Sequence, residues 1–175
     1  LKAVLKPQDK ATLICFGANV WQVSFPDDPA SELHERLKDF QKGERRGAKR
    51  LNPSEYRDGA SSVYDGLFYA AKALEGLSGR RAIILFSDGE DTSSAHHLLE
   101  TIEACQEHAV TVFALRYSEL RKGELTARNK YGKSMLARLA LETGGLDYDA
   151  SDEDLVRKAF VQIGATLRSS YDLAY

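Results

Sequence analysis

The chain has 175 residues, of which 43% are hydrophobic and 29% charged, and its formal net charge is −2. This length and composition are those of one globular domain with a sizeable core. The small net charge gives no sign of a nucleic-acid or anionic-membrane partner, and no apolar run approaches the roughly 20 residues of a membrane-spanning helix. Two distant cysteines, Cys15 and Cys105, are interpreted as buried free thiols.

The first part of the chain predicts two strands and a helix. Residues 11–17 are mostly apolar and predict a strand. Residues 20–25 alternate apolar and polar side chains, which is typical of an edge strand with one solvated face. Asp28 followed by Pro29 predicts the start of a helix that runs to Phe40.

A long irregular stretch, residues 41–60, separates this part from the next helix. A loop of that length in a compact domain is usually functional. Ser61 or Ser62 then caps a helix that reaches Leu77. Residues 82–86 follow as five apolar residues in a row, which predicts a strand covered on both faces, the central strand of a parallel sheet.

The remaining sequence alternates helix and strand patterns of similar length. The predicted elements are a helix over 95–108, a strand over 111–117, a helix over 133–143, a short strand over 146–150, and a last helix capped by residues 151–154, whose apolar stripe is Val156, Ala159 or Phe160, Ile163 and Leu167. Such alternation predicts an α/β fold, a doubly wound and mostly parallel sheet with helices on both faces.

Oxygen-bearing side chains cluster directly after the predicted central strand. Residues 87–92 read Ser-Asp-Gly-Glu-Asp-Thr. In open α/β sheets, ligands bind beyond the carboxyl ends of the strands. The sequence therefore places a candidate binding site at this turn.

This turn is similar to the one that follows the fourth strand of von Willebrand factor A domains. Three other segments resemble a bacterial branch of that family: residues 59–65 (Gly-Ala-Ser-Ser-Val-Tyr-Asp), 142–145 (Glu-Thr-Gly-Gly) and 171–175 (Tyr-Asp-Leu-Ala-Tyr). The resemblance implies that residues 1–170 form an A-type domain and that 171–175 begin a strand leaving it. It also implies an extracytoplasmic bacterial setting.

The resemblance further implies a Mg²⁺ site made of three parts. By position, Ser61 stands for the family's threonine before the third helix, and Asp88 for its aspartate after the fourth strand. The third part, an Asp-x-Ser-x-Ser on a central first strand, has no match in this sequence. Residues 1–5 are predicted to be the last turn of a helix that is stopped by Pro7. We therefore expect that the native protein has a further strand, and most of that helix, before Leu1. Hydroxyl and carboxylate oxygens are the ligands that Mg²⁺ prefers, but two ligands hold it loosely, so we expect weak or absent Mg²⁺ binding in this chain.

The function implied by the resemblance is protein binding, without catalysis. The open position of the Mg²⁺ would accept an acidic side chain of a partner protein, and the stretch 41–60 would border the site. A metal-independent scaffold is the first alternative, in which Ser61 is a helix cap and Asp88 a turn residue. The second is a hydrolase or nucleotide-binding enzyme that uses the cluster from Asp88 to Asp91, although nucleophile-elbow and phosphate-loop motifs are absent.

Two adjacent histidines could imitate a metal-binding face. His96 and His97 are followed by Glu100 one turn later. We interpret them instead as the exposed beginning of a surface helix. Glu90 and Asp91 are interpreted as solvated turn residues, with Asp91 or Thr92 capping that same helix.

Overall fold

The structure, a computed structural model, describes residues 5–6, 8–52, 60–117, 120–121 and 124–169. The helices are α1 (Leu33–Gln41), α2 (Val63–Ala73), α3 (Leu98–Glu107), α4 (Ala127–Glu142) and α5 (Glu153–Ser169). The strands are β1 (Ile14–Phe16), β2 (Val20–Gln22), β3 (Lys49–Arg50), β4 (Arg81–Ser87), β5 (Val110–Arg116), β6 (Leu120–Arg121), β7 (Glu124–Leu125) and β8 (Asp147–Asp149). The fold is therefore mixed α/β, as predicted.

Three parallel strands form the main sheet, in the order β4, β5, β8. The register of β4 and β5 pairs Arg81 with Val110 and Ser87 with Arg116. Within the described residues β5 is the central strand, while β4 lies at an edge, where Phe86 is 44% exposed. The prediction that residues 82–86 are central is thus wrong for this sheet. The run is apolar on both sides because both of its faces carry helices.

Each face of the parallel sheet packs against its own set of helices. On one face, Ile83 and Leu85 of β4 join residues of α2, α3 and α4 in one core cluster. On the other face, Phe113 and Leu115 of β5 pack with Ala159 of α5 and its neighbours. Burial of a large apolar side chain contributes about 1.5–3 kcal/mol. These two clusters therefore hold the sheet between two helical layers, and the predicted stripe of α5 is confirmed.

The strands near the amino terminus form a separate antiparallel sheet, in the order β1, β2, β3. Cys15 lies opposite Trp21, and Trp21 lies opposite Arg50. The prediction that residues 20–25 form an edge strand is wrong, because β3 comes from the charged stretch predicted to be irregular and covers the second side of β2. The described parallel sheet has three strands and the antiparallel sheet is separate from it, so a doubly wound sheet stays a prediction.

The two sheets share contacts with helix α2 but no strand pairing in the described residues. The Phe16 ring of β1 lies against Gly66, where an added Cβ would come within 3.1 Å of the ring. Phe16 also packs on the cluster that contains Leu85.

Helices α1, α3 and α4 begin at residues other than those predicted, and α3 begins at Leu98 instead of residue 95. Helix α4 starts six residues earlier than expected, because the Thr126 hydroxyl accepts a hydrogen bond from the Asn129 N–H (3.2 Å) and caps it. Asp28 does not cap α1; its carboxylate accepts the Phe25 N–H (2.9 Å), and the helix begins at Leu33. A short β6–β7 ribbon lies between β5 and α4, where no helix or strand was predicted.

Several other sequence predictions can be compared directly. Cys15 and Cys105 are both free thiols, as predicted, but only Cys105 is buried, while Cys15 is half-buried. Among the described residues, no helix has the length and apolar character needed to cross a bilayer. The predicted terminal features, a helix end over residues 1–4 and a strand over 171–175, lie outside the described residues.

The turn from α4 to β8 requires a glycine at position 145. An added Cβ there would collide with the carbonyl group of Val112 in β5. We predict that Gly145→Ala lowers the free energy of unfolding by about 1–3 kcal/mol, because the backbone must shift to relieve the overlap. Gly17→Ala is the matched control, since its Cβ would meet only the Ala60 carbonyl oxygen at 3.9 Å. Equal urea-unfolding midpoints for the two variants would contradict the prediction.

Candidate functional site

The residue before helix α2 is joined to the loop that follows strand β4. The Ser61 N–H donates to the Thr92 hydroxyl (2.9 Å), and the Ser61 carbonyl accepts the N–H groups of Thr92 (2.9 Å) and Ser93 (3.1 Å). We call this set of hydrogen bonds the seam. The seam brings the segment carrying Ser61 against the loop that begins with Asp88.

Asp88 directly follows the last residue of β4 and shapes a tight turn. Its Oδ1 accepts the Glu90 N–H (3.0 Å), and the Ser87 hydroxyl accepts the Gly89 N–H (3.0 Å). Gly89 has a φ of 84°, in the left-handed region that favours glycine. One carboxylate oxygen of Asp88 is therefore used in the turn, and its Oδ2 has no hydrogen bond within the described part of the chain.

Helix α4 presses on this turn through a second glycine. A Cβ added at Gly132 would collide with the Asp88 carbonyl oxygen, and one added at Gly89 would collide with the Gly132 backbone. The two backbones can lie this close only because neither residue has a side chain. The position of Asp88 thus depends on a helix whose beginning the sequence analysis had predicted to be a loop.

Asp91 faces inward and caps α2, which corrects its interpretation as a solvated turn residue or a cap of α3. Its Oδ1 accepts the Tyr64 N–H (3.2 Å) and the Ser94 hydroxyl (2.6 Å). The Ser62 and Ser93 hydroxyls bond to each other at 2.8 Å. These side chains satisfy one another and are not open to a ligand. Ser62 is the residue that immediately precedes α2, and its side chain caps no helical N–H.

A buried carboxylate that the sequence analysis did not select lies one turn into α2. Asp65 is 3% exposed and accepts hydrogen bonds from the Ala95 N–H (3.1 Å), the His96 N–H (3.0 Å) and His96 Nδ1 (2.7 Å). His97 and Glu100 form a helix cap, with the His97 N–H donating to Glu100 Oε2 (2.8 Å). The signal that could have found Asp65 is a charged residue on the apolar face of a helix.

The free side-chain oxygens of Ser61 and Asp88 provide part of the coordination that a Mg²⁺ ion requires. Over the described residues, the Ser61 hydroxyl and Asp88 Oδ2 are the oxygens of the two predicted site residues that no hydrogen bond engages. Both are hard oxygen donors, but two donors fill only a third of the about six positions around Mg²⁺. They fit part of such a site. No group of three His, Cys, Asp or Glu side chains within the described ranges forms a metal cluster.

The comparisons with known proteins give little that bears on this site. No protein-family model and no curated protein matches the chain. A crystal structure of an uncharacterized membrane-spanning protein from Vibrio fischeri aligns with 90% of this chain and 75% of that chain, at 22% identity and a TM-score of 0.43. A TM-score this low supports no assignment of fold or function.

We predict that Gly132→Ala displaces the Asp88 turn. The new methyl group overlaps the Asp88 carbonyl oxygen, so α4 and the turn must separate. We expect the free energy of unfolding to fall by about 1–3 kcal/mol and the amide NMR signals of residues 88–91 to shift. Ser134→Ala, an exposed change on the same helix, is the control. Unchanged signals for the turn in the glycine variant would contradict the contact.

A second prediction concerns Tyr64, whose N–H bonds to Asp91. Burial, with contributions from Tyr131 and Asp91, raises the pKa of Tyr64 from 10.0 to about 12. Between these values the unfolded chain loses the phenol proton and the folded chain keeps it, so this contribution to stability is present below pH 10.0 and is lost as pH rises through about 12.

We therefore expect wild-type stability to fall more steeply than that of Tyr64→Phe over this pH range. Denaturant unfolding at several alkaline pH values measures the difference, and the ionisation of other groups cancels between the two proteins. Parallel curves would show that the phenol is not shielded in the folded state.

Proposed function

We propose that this chain is a von Willebrand A-type domain that binds a partner protein through a Mg²⁺-dependent site at Ser61 and Asp88. The observation that carries the proposal is the seam, since it joins the Ser61 segment to the loop after Asp88. The doubly wound A-type sheet is part of this proposal. Helices on both faces of a parallel sheet are compatible with it.

The chemistry of the two residues supports this function. The Ser61 hydroxyl and Asp88 Oδ2 would hold the ion, and water would fill further positions around it. When bound, Mg²⁺ supplies a positive charge with an open position for a carboxylate oxygen. The turn at Asp88 is held in advance by Glu90 and by the contact between Gly89 and Gly132, so little ordering is needed on binding.

The surroundings of the turn also favour an acidic partner. Lys130 and Lys133 are exposed residues of α4 and lie within two residues in sequence of Gly132, which contacts the Asp88 turn. Positive side chains near a binding site attract carboxylates and raise the association rate, an effect that falls with salt. We infer that the partner presents an aspartate or glutamate within an acidic segment.

A metal-independent scaffold is the second candidate, and one observation favours it. Three oxygen-bearing side chains near the seam are already engaged in hydrogen bonds: Ser62 and Ser93 bond to each other, and Asp91 bonds to the Tyr64 N–H of α2 and to Ser94. The site then has two open donors, and the same fold could bind a partner through other surfaces. Metal titration separates the two candidates.

The test is a titration of this chain with Mn²⁺, which takes the ligands of Mg²⁺ and broadens nearby NMR signals. We expect broadening of the amides around Ser61 and Asp88, with Asp88→Ala weakening affinity by about tenfold or more because a carboxylate ligand is lost. Ser61→Ala should weaken binding less, and Ser61→Thr should preserve it. Glu75→Ala, an exposed carboxylate change beyond the opposite end of α2, is the control.

A second arm tests the partner chemistry with two peptide pools that differ by glutamate or glutamine at one fixed position. Retention of the glutamate pool by wild type, dependent on Mg²⁺ and lost in Asp88→Ala, is the expected result. If Mn²⁺ leaves the signals of both segments unchanged and binding is indifferent to Asp88, the metal-independent scaffold is the better description.

A further inference from the structure

The loop after β4 is fastened to α2 at a second point, outside the Ser61 and Asp88 pair. The Asp65 side chain is 5% exposed, and its two oxygens accept four hydrogen bonds from Ala95 and His96. Buried carboxylates are costly unless such donors compensate the charge. The donors that compensate the charge of Asp65 all belong to the loop. The carboxylate would therefore be buried without hydrogen bonds if the loop moved away.

The imidazole of His96 is fixed as tightly as the carboxylate. Its ring stacks on Phe68 with centroids 3.7 Å apart, and meets the edge of Tyr69 at 5.7 Å. Because an ionised carboxylate only accepts hydrogen bonds, the 2.7 Å contact requires a proton on Nδ1. Charge-assisted hydrogen bonds of this kind are roughly twice as strong as neutral ones.

The geometry points to a positioning role for this pair. Three pairs of residues connect the start of α2 to the loop: Ser61 with Thr92, Tyr64 with Asp91, and Asp65 with His96. The loop is thus attached along the first turn of α2 at three successive points. Asp88 lies only three residues before the first of them, so its place depends on the fastening.

We propose that Asp65 and His96 form a latch that sets the position of the Asp88 turn relative to Ser61. The latch consists of the hydrogen bonds between Asp65 and the loop, and these do not depend on a bound metal. Its effect on metal affinity rests on the proposed function. Neither residue touches the ion in this scheme; both are positioning residues that act through the loop.

Two variants of His96 separate the hydrogen bond from the ring. His96→Phe keeps the stacking on Phe68 but removes the donor to Asp65, whereas His96→Asn removes the ring and keeps an N–H near the position of Nδ1. His34→Phe, an exposed change on α1, is the control. If His96 acts only by packing of its ring, phenylalanine is the better replacement. If the hydrogen bond to Asp65 holds the loop, asparagine is the better replacement.

The first readout is hydrogen exchange of the Ala95 and His96 amides without metal. We expect His96→Phe to accelerate their exchange about tenfold or more, and His96→Asn to stay within about threefold of wild type. Nitrogen NMR of the imidazole should show the proton on Nδ1. Unchanged exchange in His96→Phe, or a proton on Nε2 alone, would overturn the latch.

The second readout is Mn²⁺ affinity, which keeps the two proposals apart. If wild type binds Mn²⁺ through Asp88, His96→Phe should weaken the affinity severalfold and His96→Asn should restore it. Faster exchange with unaltered affinity would overturn the positioning role. If wild type binds no Mn²⁺, the proposed function fails, and the exchange data alone decide whether the latch exists.

Discussion

The described structure around the candidate site depends on the seam between the start of α2 and the loop after β4. Across 31 residues of sequence, the Ser61 N–H donates to the Thr92 hydroxyl and the Ser61 carbonyl accepts the Thr92 N–H. Without these bonds, the backbone polar groups of Ser61, Thr92 and Ser93 would each need water or another partner. The same loop also caps α2, because the Tyr64 N–H donates to Asp91 and the Asp65 N–H donates to the Ser94 hydroxyl. The Asp65 carboxylate in turn accepts the Ala95 N–H of the loop.

The seam has consequences for what the site can do. A loop attached to a helix at Thr92, Asp91 and His96 moves little when a ligand arrives, so binding costs little conformational entropy. The same attachments engage most of the nearby side-chain oxygens in hydrogen bonds. The side-chain oxygens of the two predicted site residues, the Ser61 hydroxyl and Asp88 Oδ2, have no hydrogen bond in the described residues, because neighbouring side chains satisfy the rest of the loop.

Local patterns predicted the helices and strands well, whereas pairing between distant segments escaped them. The apolar run of β4 and the stripe of α5 were visible because their periodicity is set by burial. The two-residue strand β3 was not, since its Lys49 and Arg50 read as a solvated loop and only the partner β2 makes them a strand. The start of α4 was missed because Gly132 weakens the helical pattern.

The candidate site shows the same division for a physical reason. Ser61 and Asp88 could be selected by residue type and position, whereas Asp65 was hidden because its value comes from donors 30 and 31 residues away. A glycine inside a helix and a carboxylate on an apolar helix face both contradict local rules. Each contradiction is resolved here by the same loop, Gly132 by contact with Gly89 and Asp65 by the N–H groups of His96 and Ala95. Residues that oppose their local pattern therefore mark the places where this chain folds back on its site.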